Sequence, residues 1–190
     1  MPALNTLRGA IVSDITRPPG KAFPGFSPGA TIYRGGHPFQ ARFDTVRFLK
    51  ERVDGNRAMV AVEFEDTAAQ PWYGIIGALQ QPDGIWKVDG GTSGRRGPEP
   101  QPRGPWANFG GWGWPRFLCL GGRVHGEGVS KVRLIDAAGR TIEDTIDNGI
   151  ALLLINAPVE MPCQIELRNA GGALLATQPW PPEQGVCRRR

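Results

Sequence analysis

The chain has no apolar run long enough to cross a bilayer. Its longest, Ile150 to Ile155, is six residues, against about twenty for a membrane helix. The opening Met1-Pro2-Ala3-Leu4-Asn5-Thr6 lacks a basic stretch followed by an apolar one. No secretory signal is read there, and a cytoplasmic location is the default expectation. Cysteine is scarce and odd in number: Cys119, Cys163 and Cys187 cannot all pair within one chain. No Cys-x-x-Cys or Cys/His spacing suggests zinc, so neither a metal nor a cofactor is expected. Cys119 and Cys163 lie in apolar strand patterns and read first as buried free thiols. A disulfide between them, should they sit on facing strands, is the alternative.

Histidine is scarcer still. His37 follows Gly35-Gly36 and His125 precedes Gly126-Glu127. Each reads as a lone loop residue, since a metal site needs both to converge with carboxylates such as Glu127. A strong excess of one charge is also missing. The formal charge is +4 and the pI about 9.3. Residues 1–89 carry ten basic and nine acidic groups, 90–115 three and one, and 116–190 nine and eight. The excess lies in a Pro/Gly-rich stretch and in Arg188, Arg189 and Arg190. That distribution does not favour nucleic acid, whose recognition concentrates charge on a folded face; weak contact through the basic linker and tail is the form such a reading would take.

Glycine and proline are abundant, at 27 and 18 of 190 residues. Both interrupt helices, so a mainly β chain of short strands and tight turns is expected. Leu4, Leu7, Ile11 and Ile15 have near-helical spacing and predict a short helix, stopped by Pro18-Pro19-Gly20. The Pro/Gly-dense run on to Pro38 reads as irregular loop. Four strands come next: a charged run with Phe43, Val46, Phe48 and Val53, then Ala58 to Glu65, Trp72 to Leu79, and Ile85 to Val88. Short turns join them, which predicts an antiparallel meander lobe over residues 1–89. Residues 90–115 read as a linker without regular structure. Its aromatics Trp106, Phe109, Trp112 and Trp114 are expected to wedge between two lobes and fix their orientation.

From 116 to 180 the strand pattern is clearest. Runs begin at Phe117, Val129, Thr141, Ile150, Cys163 and Ala173, with Asn148-Gly149 a strong hairpin signal because both positions favour positive φ. Six regularly spaced strands predict a β-sandwich. Residues 181–190 read as a basic tail. Apolar strands ending in an Asp- or Asn-containing Ala-Gly turn recur at Val132 to Gly139 and Ile165 to Gly172, with Asp147-Asn148-Gly149 between. This pattern resembles that of bacterial immunoglobulin-like or fibronectin-like modules. The resemblance covers the C-terminal half only and implies an immunoglobulin-like sandwich serving binding or spacing rather than chemistry.

No catalytic residue is assigned. Gly25-Phe26-Ser27-Pro28-Gly29 matches G-x-S-x-G literally, but no strand precedes it and no helix comes after it, so it reads as loop. Asp144, Asp147 and Asn148 lack the spacing of a calcium loop. Pro102-Arg103-Gly104-Pro105 is a single P-x-x-P match of the kind chance supplies in a proline-rich stretch. The candidate ligand pocket is aromatic: Trp72, Tyr73 and Trp86, near Glu63 and Glu65. Two functions are expected from these features. One is a non-catalytic interaction protein that binds an unidentified protein partner or associates with itself. The other is a small-molecule binder, or a minor enzyme, with its pocket in the N-terminal lobe.

Overall fold

The computed structural model describes residues 6–24, 31–34, 36–96 and 104–181. The G-x-S-x-G match, Cys187, the arginine tail and the first half of the P-x-x-P match lie outside them. The described residues are mainly β, and the chain divides into two units, 1–99 and 100–190.

In the first unit Thr6 holds extended backbone and its hydroxyl accepts the Gly9 N–H at 3.1 Å. That cap starts α1, Leu7–Ile15. The Pro/Gly-dense stretch behind it is not all loop: β1, Lys21–Pro24, pairs antiparallel with β2, Thr31–Arg34. Then come β3, Arg47–Asp54, β4, Arg57–Glu65, β5, Pro71–Gln80, and β6, Trp86–Arg95. They pair in the order β3-β4-β5-β6, the expected meander. Period-two alternation sends Val60, Val62 and Phe64 of β4 and Trp72, Ile76 and Ala78 of β5 to one face. Ile11 and Ile15 of α1 are fully buried in that same cluster.

The second unit is a stack of two antiparallel sheets around one core. Its strands are β7, Trp106–Trp112, β8, Leu118–His125, β9, Lys131–Ile135, β10, Thr141–Thr145, β11, Ile150–Ile155, β12, Cys163–Arg168, and β13, Leu174–Trp180. The orders are β11-β8-β7 and β10-β9-β12-β13. Leu118, Leu120 and Leu153 from one sheet share a cluster with Val132, Leu134, Ile165 and Leu167 from the other. A side-chain amide joins the sheets at one margin: Gln178 accepts the Ala107 N–H and donates to the Ala107 carbonyl, both at 2.9 Å.

Residues 90–115 are corrected. They are not free of regular structure, because β6 runs on to Arg95 and β7 begins at Trp106. Edge pairing explains β6: Gly91, Ser93 and Gly94 pair with the long strand β5 through backbone alone, which weak side-chain propensity does not prevent. Asn148 and Gly149 do take positive φ, 51° and 71°. Yet the strands they join pair with each other only through the Asp147–Ile150 bridge, and β10 and β11 then enter different sheets. Cys119 and Cys163 are buried and free, the first of the two readings. Burial, with the charge of Asp136 and against that of Arg140, pushes the Cys163 thiol up to about 11.

Three turns share one device. Asp66, Asp136 and Asn169 each accept, through side-chain oxygen, the N–H four residues ahead at 2.9 Å. Residue three ahead is Ala69, Gly139 or Gly172, each with positive φ. The Asp136 carboxylate also takes the Arg140 guanidinium at 2.6 Å while only 1% exposed. Burial raises its pKa, and the hydrogen bonds and charge of Arg140 outweigh that, so the net shift is downward from 3.8. Its stabilisation is therefore complete above the unfolded value and is lost as pH falls through the lower folded value. Asp136→Asn is expected to cost about 1–2 kcal/mol at pH 7, with the deficit shrinking below pH ~4. Urea unfolding of both proteins across that range measures it, and a pH-independent deficit would contradict the charge argument.

The β7–β8 pairing needs glycine. A Cβ on Gly122 would stand 1.9 Å from the Asn108 carbonyl oxygen, whereas one on Gly94 meets nothing within 4 Å. Gly122→Ala is expected to cost about 3 kcal/mol or more and Gly94→Ala less than about 0.5, read by the same unfolding measurement.

Candidate functional site

The five candidate pocket residues do not converge. Trp72 and Tyr73 are consecutive on a strand and so point to opposite faces. Trp72 lies opposite Phe64 on the helix-bearing face and is buried. Its indole N–H donates to Asp66 Oδ2 at 2.8 Å, and its ring packs on Phe39 with centroids 4.8 Å apart. Burial pushes the Asp66 carboxyl up, but hydrogen bonds from Gln70, Trp72 and Ala68, with the charge of Arg95, bring it below 3.8. Trp72 is thus core, completing a buried turn. Tyr73 faces the reverse side, opposite Glu63. Glu63 pairs with Arg96 at 3.3 Å and Glu65 with Arg42 at 3.2 Å. Of the five, Trp86 lines a groove.

That cavity is a groove of about 360 Å³ between α1 and β6. Ala10, Ser13, Asp14 and Arg17 form one wall, and Trp86, Lys87 and Val88 the other. On the helix Ala10, Ser13 and Asp14 stand at i, i+3 and i+4, one face adjoining the buried Ile11 and Ile15, and Arg17 follows just past the helix end. The strand side exists because β6 is the last strand of its sheet. Trp86 packs partly on the core and leaves the rest of its ring to the groove.

Asp14 is already engaged. His37 Nε2–H donates to Asp14 Oδ2 at 2.6 Å, and the Arg17 guanidinium stands 3.6 Å from Oδ1. The His37 ring stacks on Phe39, interplanar angle 8° and centroids 4.8 Å apart, and Phe39 contacts Trp72 and Phe64. Two backbone bonds tie the same loop down, from Gly20 N–H to His37 O and from Ala41 N–H to Ile15 O, both 2.8 Å. No hydroxyl or thiol among the described residues hydrogen-bonds to Asp14 or His37. The sequence sets His37 apart as a lone residue and hides this clasp. The partners stand 23 positions apart across a proline-rich run, and no spacing rule links them. The helical wall did carry a signal in the i, i+3, i+4 spacing of Ala10, Ser13 and Asp14.

The linker aromatics belong to the second unit. Phe109 packs against its core, while Trp106, at a strand position of opposite parity, stacks on His125 with centroids 5.0 Å apart. Trp114 is 55% exposed and donates its indole N–H to the Val159 carbonyl at 3.1 Å. Asp144 is taken up in accepting the Leu152 N–H at 2.7 Å. Among the described residues no group of three or more His, Cys, Asp or Glu side chains is placed to hold a metal. No helix there is long and apolar enough to cross a membrane. No protein-family model, curated protein or solved structure matches the chain.

Asp14→Asn or His37→Ala removes one charge-assisted bond. Each is expected to speed amide exchange at Gly20 and Ala41 about five- to tenfold while leaving β4 and β5 unchanged, as measured by hydrogen–deuterium exchange. Equal acceleration throughout the first unit would mean that the clasp supports the whole fold.

Proposed function

We propose that the protein is a non-catalytic binding protein that holds a small molecule in the groove between α1 and β6. The supporting observation is the groove itself, in which a half-buried indole lies beside a hydroxyl and charged groups in a volume suited to a compact ligand. Ser13, Asp14 and Arg17 supply polar contacts, and Trp86 and Val88 supply an apolar floor. The Asp14–His37 pair has a positioning part in this reading: it holds the loop and the helix end that form one rim.

The second unit is read as an immunoglobulin-like module that spaces or presents the first. Lettered A to G in chain order, its strands pair as A-B-E and D-C-F-G. The A-B-E and C-F-G groupings are those of immunoglobulin sandwiches, with the fourth strand beside C instead of beside E. This support is architectural and carries no partner with it.

Small aromatic probes titrated into the isotope-labelled full chain test the groove. Amide shifts are expected to gather at Ala10, Ser13, Trp86 and Val88. Trp86→Ala is expected to weaken binding about tenfold, as is Ala10→Trp, which fills the cavity from the helix side. Shifts scattered over both units, or binding indifferent to both substitutions, would reject the groove.

A further inference from the structure

We infer that the outer edge of β6, at residues 91–95, takes up an extended acidic segment of another protein as a fifth strand of the first sheet. β6 ends the order β3-β4-β5-β6, so among the described residues one side of its backbone has no strand beside it. The Arg96 N–H donates to the Pro71 carbonyl at 2.8 Å, and Arg95 stands opposite Trp72. In an antiparallel pair successive residues turn alternately toward the partner strand and away from it. Thr92, Gly94 and Arg96 therefore bond to β5, while Gly91, Ser93 and Arg95 turn their N–H and C=O groups outward. All three are exposed, and their backbone groups find no partner on another element among the described residues. An added strand gains its affinity from such a row of free donors and acceptors.

Strand edges are normally blunted against such pairing. β3, the opposite edge of the sheet, carries Arg47, Lys50, Arg52 and Asp54 and a register shift after Phe48. In the second unit side chains cover edge strands: Gln178 bonds to both backbone groups of Ala107 on β7, and Asp144 accepts the Leu152 N–H on β11. Residues 90–94 of β6 carry neither lysine nor proline, and Gly90, Gly91 and Gly94 put no side chain beside the edge. The charge of the partner follows from Arg95. Its guanidinium lies over the Trp72 ring, 5.8 Å from the centroid, and makes no ion pair among the described residues. Asp66 feels its charge, but that buried carboxylate already accepts the Ala68, Gln70 and Trp72 N–H groups. The guanidinium donors are thus left for a carboxylate on the added strand. A second copy of β6 supplies none, since its Asp89 is held by Arg57.

The edge does not depend on the groove, whose strand residues Trp86 and Val88 lie at the other end of β6, beyond the bulge at Asp89. The test titrates acetyl-Thr-Val-Thr-Glu-Thr-Val-Thr-amide into the isotope-labelled full chain, beside versions with glutamine or lysine in place of the glutamate. Amide exchange at Gly91, Ser93 and Arg95 is expected to slow about tenfold near saturation, while Thr92 and Gly94, already bonded to β5, change less than about twofold. The glutamate peptide is expected to bind about threefold more tightly than the glutamine one, with the lysine one weakest. Arg95→Gln removes that advantage, and its exposure makes the variant a test of charge rather than of folding. Ser93→Pro deletes an outward N–H without breaking a bond to β5 and is expected to weaken binding about tenfold. Protection that does not alternate, or none, overturns the added strand; where small aromatic probes still shift Trp86, the groove stands without it. Alternating protection that grows with protein concentration in the absence of peptide assigns the edge to a second copy and overturns the acidic partner. Equal binding of all three peptides overturns the preference for acid.

Discussion

Ile11 and Ile15 are fully buried beneath α1, and the position of Ser13 and Asp14 in the groove wall depends on that contact. Each such burial is worth about 1.5–3 kcal/mol. The exposed pair that holds the other flank of the helix, Arg8 with Glu51, is worth at most about 1 kcal/mol. Packing therefore sets the rotation of α1 on the sheet, and the ion pairs adjust to it. Given that rotation, helical geometry turns Arg8 toward β3 and turns Ser13 and Asp14 toward β6. The groove is a by-product of where the apolar stripe ends.

The second unit solves a different problem with equally few side chains. Two sheets must meet at a margin without leaving strand edges unsatisfied. Gln178 lends its amide to both backbone groups of Ala107 and acts as a short piece of strand. Glycine at 111 leaves room for Trp180, since a Cβ there would lie 2.6 Å from its ring. The buried carboxylate of Asp136 holds its turn from within, which a solvent-facing turn residue would do less firmly.

Most of the strand pattern was legible because its cause is local. Alternation at Cys163, Ile165 and Leu167, and the uniformly apolar Ile150 to Leu154, arise directly from burial on one face or two. The hairpin conformation at Asn148-Gly149 was also legible, being set by two residues. The destination of the strand after that turn was not, because sheet membership depends on distant partners: β11 joins β8, about thirty positions earlier in the chain. The same limit hid the clasp between Asp14 and His37. The aromatic pocket failed for a local reason that the sequence does contain. Trp72 and Tyr73 are neighbours, and strand neighbours face opposite ways, so no single sheet face holds both.

The contrast between Trp72 and Trp86 shows what separates a core indole from a ligand-facing one. Both lie on the helix-bearing face of the same sheet. Trp72 is on an inner strand, where burial leaves its N–H no water, and Asp66 accepts it from inside a turn. Trp86 is on the outermost strand, and its indole makes no hydrogen bond among the described residues. The helix covers part of its ring and the sheet ends before anything covers the rest. A large ring in that position leaves apolar area facing the groove, beside Asp14 and the Arg17 guanidinium paired with it at 3.6 Å.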